Sequence, residues 1–101
     1  MADVTVGPGE VSSGRLTLAA NTVITVAFTD NIGAVQLTTD GTAPVYYTVD
    51  GRTPTVDSRI AYEIPAAGVG IATNETANTP GNGDIIKLIS AGTPTVRVER
   101  A

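Results

Sequence analysis

Apolar and polar residues alternate along this chain in short runs, and Gly, Pro or Asp-Gly ends almost every run. A period of two puts one face of each run toward a core and the other toward solvent, as strands do. In residues 15–30, RLTLAANTVITVAFTD, two such runs flank Ala20–Asn21, and in the second Ile24, Val26 and Phe28 alternate with Thr25 and Ala27. AVQLTTDG sets Val35 and Leu37 against Gln36 and Thr38, then turns at Asp40–Gly41. Gly tolerates positive φ there, and Asp can accept a hydrogen bond from the backbone beyond it. VYYTV turns Val45, Tyr47 and Val49 inward and Tyr46 and Thr48 outward. RIAYEIP sets Ile60, Tyr62 and Ile64 against Ala61 and Glu63, until Pro65 withholds a donor and ends the strand.

Near the C-terminus the pattern predicts two more strands, DIIKLIS and TVRVER, separated by AGTP. Ile86 and Leu88 are expected to meet Val96 and Val98 as cross-strand partners in a last hairpin, with Lys87, Arg97 and Glu99 outside. Between these and Pro65, Val69 and Ile71 suggest a short strand, and residues 74–84 read as a loop. The first segment, MADVTVGPGEVSSG, has only Val4, Val6 and Val11 as apolar points and reads as an extended arm or a loose terminus. The expectation is all-β: a single small antiparallel β-sandwich or barrel of about seven strands over residues 15–101, with an extended N-terminal arm at 1–14.

Composition strengthens that reading. Val, Ile and Thr contribute 12, 8 and 16 of the 101 residues, against four Leu and one Met. β-Branched residues favour pleated, half-buried strands over helices. A chain of this length has room for one domain. It contains no Cys and no His, which removes disulfides, thiolate nucleophiles and the commonest general base and metal ligand. Six bases against ten acids give a net charge of −4, and the bases stand singly along the chain, which argues against nucleic acid as a partner. No apolar run approaches a membrane span and the N-terminus lacks the layout of a signal peptide, so the product is expected to be soluble, without a membrane partner, and made in a cytoplasm.

Few residues suggest chemistry. A glycosidase needs two carboxylates across a cleft. Asp50, Asp57 and Glu63 lie near one corner, but turn carboxylates mostly bond backbone groups, and no catalytic residue is expected. Asp30, Asn31, Asp40 and Asp84 offer oxygens for calcium without the spacing of a ligand loop, so no metal and no cofactor is expected. Asn74–Thr76 spells a glycosylation acceptor whose context points to chance. The stretch PVYYTVDGRTPTV, residues 44–56, crowds aromatics, an acid, a base and prolines together. Asp50–Gly51 is a strong turn signal and explains every residue of it except the outward Tyr46. Tyr46, Arg52 and Arg59 are therefore candidate contact residues, by stacking on a sugar or anchoring a protein neighbour. The alternative for Tyr46 is a ring lying flat on its own sheet.

The corner resembles the YTxDGxxPT signature of small immunoglobulin-like modules appended to chitobiase and hexosaminidase-type glycosidases, on Tyr47, Thr48, Asp50, Gly51, Pro54, Thr55, Ser58 and Tyr62. The resemblance implies an immunoglobulin-like sandwich corner and carries over no catalytic residue. More of the chain, above all IKLISAGTPTVRVE at 86–99, resembles small β-rich virion proteins of tailed bacteriophages. That resemblance implies a non-enzymatic capsid decoration or cement protein on the virion surface, which binds the major capsid protein lattice and forms homo-oligomers, often trimers. A tail-tube, tail-tip or fibre component is one alternative, and a carbohydrate-binding immunoglobulin-like accessory module another. Under this reading the arm, with Ala2, Asp3, Val4, Thr5 and Val6, lies on the shell or a neighbouring copy by adding to a sheet edge. Deleting residues 2–10 is then expected to leave the fold intact but weaken attachment.

Overall fold

A computed structural model describes residues 4–7, 9–29, 34–49, 51–64, 71–76 and 84–100. These form nine strands: β1 (Val4–Val6), β2 (Ser12–Thr17), β3 (Ile24–Phe28), β4 (Ala34–Thr39), β5 (Val45–Thr48), β6 (Tyr62–Ile64), β7 (Ile71–Thr76), β8 (Asp84–Ile89) and β9 (Thr95–Arg100). They make two sheets, β1-β3-β8-β5-β6 and β2-β9-β4-β7, packed as a small β-sandwich. The alternation along each strand decides which side chains lie between the sheets. Ile24, Val26 and Phe28 on β3 are buried, and so are Val35 and Leu37 on β4 and Val45 and Tyr47 on β5.

The last two strands do not form a hairpin. β8 pairs antiparallel with β3 and β5, whereas β9 pairs with β2 and β4 in the other sheet. Ile86 and Leu88 therefore share one core cluster with Val96 and Val98 from opposite layers, not as cross-strand neighbours. Alternation gave the correct inward faces; it carries no information on which sheet receives a strand. The intervening AGTP is a corner between layers. There the Ser90 hydroxyl donates to the Pro44 carbonyl at 2.7 Å, and the Ser90 carbonyl accepts the Asn21 N–H at 2.7 Å. Three loops are thus tied at one end of the sandwich.

Gly92 sits inside that tie. A Cβ built on it would lie 2.8 Å from the Ala43 Cβ, closer than two carbons can approach. Gly92→Ala is expected to destabilise by about 1–3 kcal/mol, as overpacking does. Adding Ala43→Gly should recover much of that loss, measured by denaturant unfolding of both single variants and the double. Equal, additive losses would contradict the contact.

The N-terminal segment departs from expectation. Val4–Val6 pairs in register with Val26–Phe28 of the same chain, and Val6 is 1% exposed within the core. This pair is parallel, unlike every other ladder among the described residues. A parallel pair needs a crossover, and β2, crossing in the opposite sheet, supplies it. Of the expected arm contacts, Ala2 and Asp3 lie outside the described residues. Val4, Thr5 and Val6 are sheet positions, with the Val6 side chain committed to this chain's own core.

Two further expectations change. Residues 74–76, read as loop from their polar composition, are the end of β7, which pairs with β4 from Ile71–Thr39 to Thr76–Ala34; residues 77–83 lie outside the described residues. The Ile60–Tyr62–Ile64 alternation yields only a three-residue strand. Ile64 is buried, but Ile60 and Tyr62 are 39% and 52% exposed. Turns over residues 55–61 consume the start of the run, and β6 is an edge strand whose inner face is only partly covered.

Candidate interaction surface

The corner between β5 and β6 is built by its own polar groups. Gly51 takes φ 86°, the left-handed region that glycine adopts without strain; Asp50 lies outside the described residues. The Thr48 hydroxyl donates to the Arg52 carbonyl, and the Thr53 hydroxyl accepts from the Lys87 ammonium at 3.3 Å. Pro54 is buried. The loop thus folds back over the outer face of the five-stranded sheet, which is why Thr48, an outward position by alternation, is only 1% exposed. Beyond it the Ser58 N–H bonds the Thr55 carbonyl at 3.1 Å, and the Ser58 hydroxyl accepts the Ile60 N–H at 3.2 Å. Asp57, at φ 61°, provides the turn between them. Tyr62 then returns beside Tyr47, with ring centroids 5.5 Å apart and planes tilted by 30°.

Each described residue of the YTxDGxxPT-like motif therefore has a structural task. The candidates Tyr46, Arg52 and Arg59 fare differently from one another. Tyr46 is half-buried on the outer face, in register between Ile89 of β8 and Glu63 of β6, and its hydroxyl donates to the Glu63 carboxylate at 3.3 Å. Partial burial first, then the charge and acceptance of Glu63 and the charge of Asp57, hold the phenol above its ordinary value of 10.0. Arg52 and Arg59 are exposed on the corner. With Ile60 and Tyr62 they form a rim that alternation alone had placed partly in the core. The signal that could have found it is Ser58, whose capping hydroxyl ends the extended run before Ile60.

The Asp40 carboxylate is occupied as a turn former. Asp40 accepts the Thr42 N–H at 3.1 Å and hydroxyl at 2.9 Å through one oxygen, and the Thr95 N–H at 3.1 Å through the other. Those bonds, the Thr42 N–H foremost, hold its carboxyl below the ordinary 3.8. Among the described residues no group of three or more acids could hold a metal ion. Of the other residues weighed for calcium, Asp30 and Asn31 lie outside the described residues.

A carboxyl whose folded-state value is depressed stabilises the fold above its unfolded value, and that contribution disappears as pH falls through the folded one. Asp40→Asn removes one charged acceptor and points an amide N–H₂ at donors. The melting-temperature gap between wild type and this variant is expected to be widest above about pH 5 and to close below about pH 3. Thermal unfolding from pH 2 to 8 measures it; a gap that is constant or widens in acid would contradict the assignment.

No family model and no curated protein matches the chain. Solved structures resemble it in fold. The copper-binding protein CorA of Methylomicrobium album BG8, described as surface-associated and important in copper acquisition, superposes with a TM-score of 0.52 at 11% identity, covering 98% of this chain and 97% of that one. PliG of Aeromonas hydrophila, a periplasmic inhibitor of g-type lysozyme, gives a TM-score of 0.49 at 16% identity, covering 97% and 98%. At such identities the likeness to CorA establishes the sandwich class alone.

Proposed function

We propose that this chain is a non-enzymatic virion structural protein of a tailed bacteriophage, a capsid decoration or cement protein attached to the assembled head. The observation that supports the reading is the corner itself. The Thr48, Thr53 and Ser58 hydroxyls and the Arg52 and Thr55 carbonyls are used internally, and what faces outward is Ile60, Tyr62, Arg52 and Arg59 rather than a set of reactive groups. Aromatic and arginine side chains on a fixed frame are the residues that anchor protein contacts. A protein that binds assembled capsomers but not separate subunits shifts the equilibrium toward assembly. Symmetric oligomers such as trimers, repeated over one shell, would let a weak contact per copy suffice.

The exposed Tyr62, its ring tilted against Tyr47, also favours a second reading: an aromatic plate on which a sugar ring could lie, as in a carbohydrate-binding accessory module. Incubating the purified chain with undecorated heads, purified tails and insoluble polysaccharide separates these. Sedimentation with heads is expected, with retention reduced by Ile60→Asp and by Tyr62→Ala while the circular dichroism spectrum is unchanged. Retention on polysaccharide alone, or on tails alone, would replace the decoration reading.

A further inference from the structure

The outer face of the four-stranded sheet carries a separate groove, and a β-bulge sets an arginine pair along it. Ser12 pairs with Glu99 and Arg15 with Arg97, so three steps on β2 match two on β9. Without the extra residue, Gly14 would oppose Arg97 and Arg15 would point at the core beside Val96. With it, Leu16 takes the inward place opposite Val96, and Arg15 stands outside, directly opposite Arg97. Gly14 adopts φ 70° to allow this, and the Ser13 hydroxyl accepts the Val98 N–H at 3.1 Å in place of a ladder bond. Bulges recur where a side chain must be re-aimed.

The product is two like charges side by side. Directly opposed cations on a sheet repel, and among the described residues the ion pair of this cluster is Arg97 with Glu99, at 3.5 Å on the same strand. Arg15 is exposed, and among the described residues no carboxylate pairs with it. Thr38 of β4 is in register with Arg97 on its other side, and Thr95 and Asp40 close one end of an open cavity of about 400 Å³. Asp40 is already taken up by Thr42 and Thr95. The ligand that satisfies this arrangement brings an isolated negative charge and acceptor oxygens for two guanidinium forks. Glu99 and Asp40 flank the arginine row along the strands, so a continuous polyanion would meet repulsion on both sides, whereas a side-chain carboxylate would not.

We infer that this groove binds a carboxylate of an acidic peptide segment on a partner protein, through Arg15 and Arg97 with Thr38 beside them. The site is on the sheet opposite the corner rim and does not depend on which assembly the chain serves. The test is a titration of the ¹⁵N-labelled full chain in low-salt buffer with a capped Gly-Glu-Gly-Glu-Gly peptide, its Gln counterpart, inorganic phosphate and polygalacturonate. Saturable shifts at Arg15, Thr38 and Arg97 are expected with the Glu peptide and not with its Gln counterpart. They should vanish at about 1 M salt, where screening acts within roughly 3 Å. Arg15→Gln and Arg97→Gln should each weaken binding roughly fivefold. Arg15→Gln should melt no lower than wild type because it relieves the like-charge pair, an outcome that a merely structural arginine would not give. No saturable shift, an equal response to the Gln peptide, tighter binding of phosphate or polygalacturonate, or unchanged affinity in both variants would each overturn the inference. Should a variant fold poorly, the salt series on the wild type decides alone.

Discussion

Removing residues 1–6 is expected to lower the melting temperature of the isolated chain by roughly 12–24 °C. The loss begins with Val6, which is almost fully buried against the core. Burying such a side chain contributes about 1.5–3 kcal/mol, and Val4 packs partly against the same cluster. The deletion also bares the edge of β3, whose Val26, Ala27 and Phe28 lose their parallel partner. Together these come to about 3 kcal/mol, and each kcal/mol moves the midpoint of a domain this size by about 4–8 °C. Val6→Ala should reproduce a large part of the effect at about 2 kcal/mol, since two buried methyl groups are lost with little room for collapse. Scanning calorimetry at several protein concentrations checks both variants. A truncated chain melting within two or three degrees of wild type would mean that the strand is not part of the monomer's core.

The second large effect separates two adjacent tyrosines. Tyr47→Ala is expected to cost about 3–5 kcal/mol, the range for deleting a buried aromatic side chain. Tyr47 is among the largest fully buried side chains, and it supports the Tyr62 ring. Tyr46→Ala should cost less than about 1 kcal/mol, because it removes a half-buried ring and a bond to an exposed carboxylate. Urea unfolding of both variants measures the contrast. Similar losses at the two positions would contradict the inward and outward assignment of β5. On head binding the order should also follow Tyr62: Tyr47→Ala weakens attachment through the tilted rim, and Tyr46→Ala leaves it unchanged.

How much of this was legible from the residues can be judged position by position. Val35, Leu37, Val45, Tyr47, Ile86, Leu88, Val96 and Val98 were all assigned inward by alternation, and all are buried. The all-β class followed from the same pattern. What alternation could not supply was pairing, because period two specifies a face and says nothing of the partner strand. Hence β8 and β9 read as a hairpin but lie in different sheets. The short Val4–Val6, followed at once by Gly7, gave too little pattern to be recognised as a strand, and its stability comes from a parallel partner more than twenty positions away. The polar end of β7 was read as loop for a related reason, since its order derives from β4 and not from its own composition. At the candidate site, the exposure of Arg52 and Arg59 follows from their place on the corner, whereas the bond of Tyr46 to Glu63 depends on the β5–β6 pairing, which alternation does not specify. The Arg15–Arg97 pair was invisible, because a one-residue bulge at Gly14 sets which way Arg15 points.

The central claim is that the chain acts by attachment to an assembled surface. It is tested most directly by the heat resistance of undecorated heads titrated with the purified protein, followed by release of their DNA. The release temperature should rise with added protein and saturate at a fixed number of copies per head, while free capsid subunits bind none. An unchanged release temperature at saturating protein, or equal binding to unassembled subunits, would contradict it.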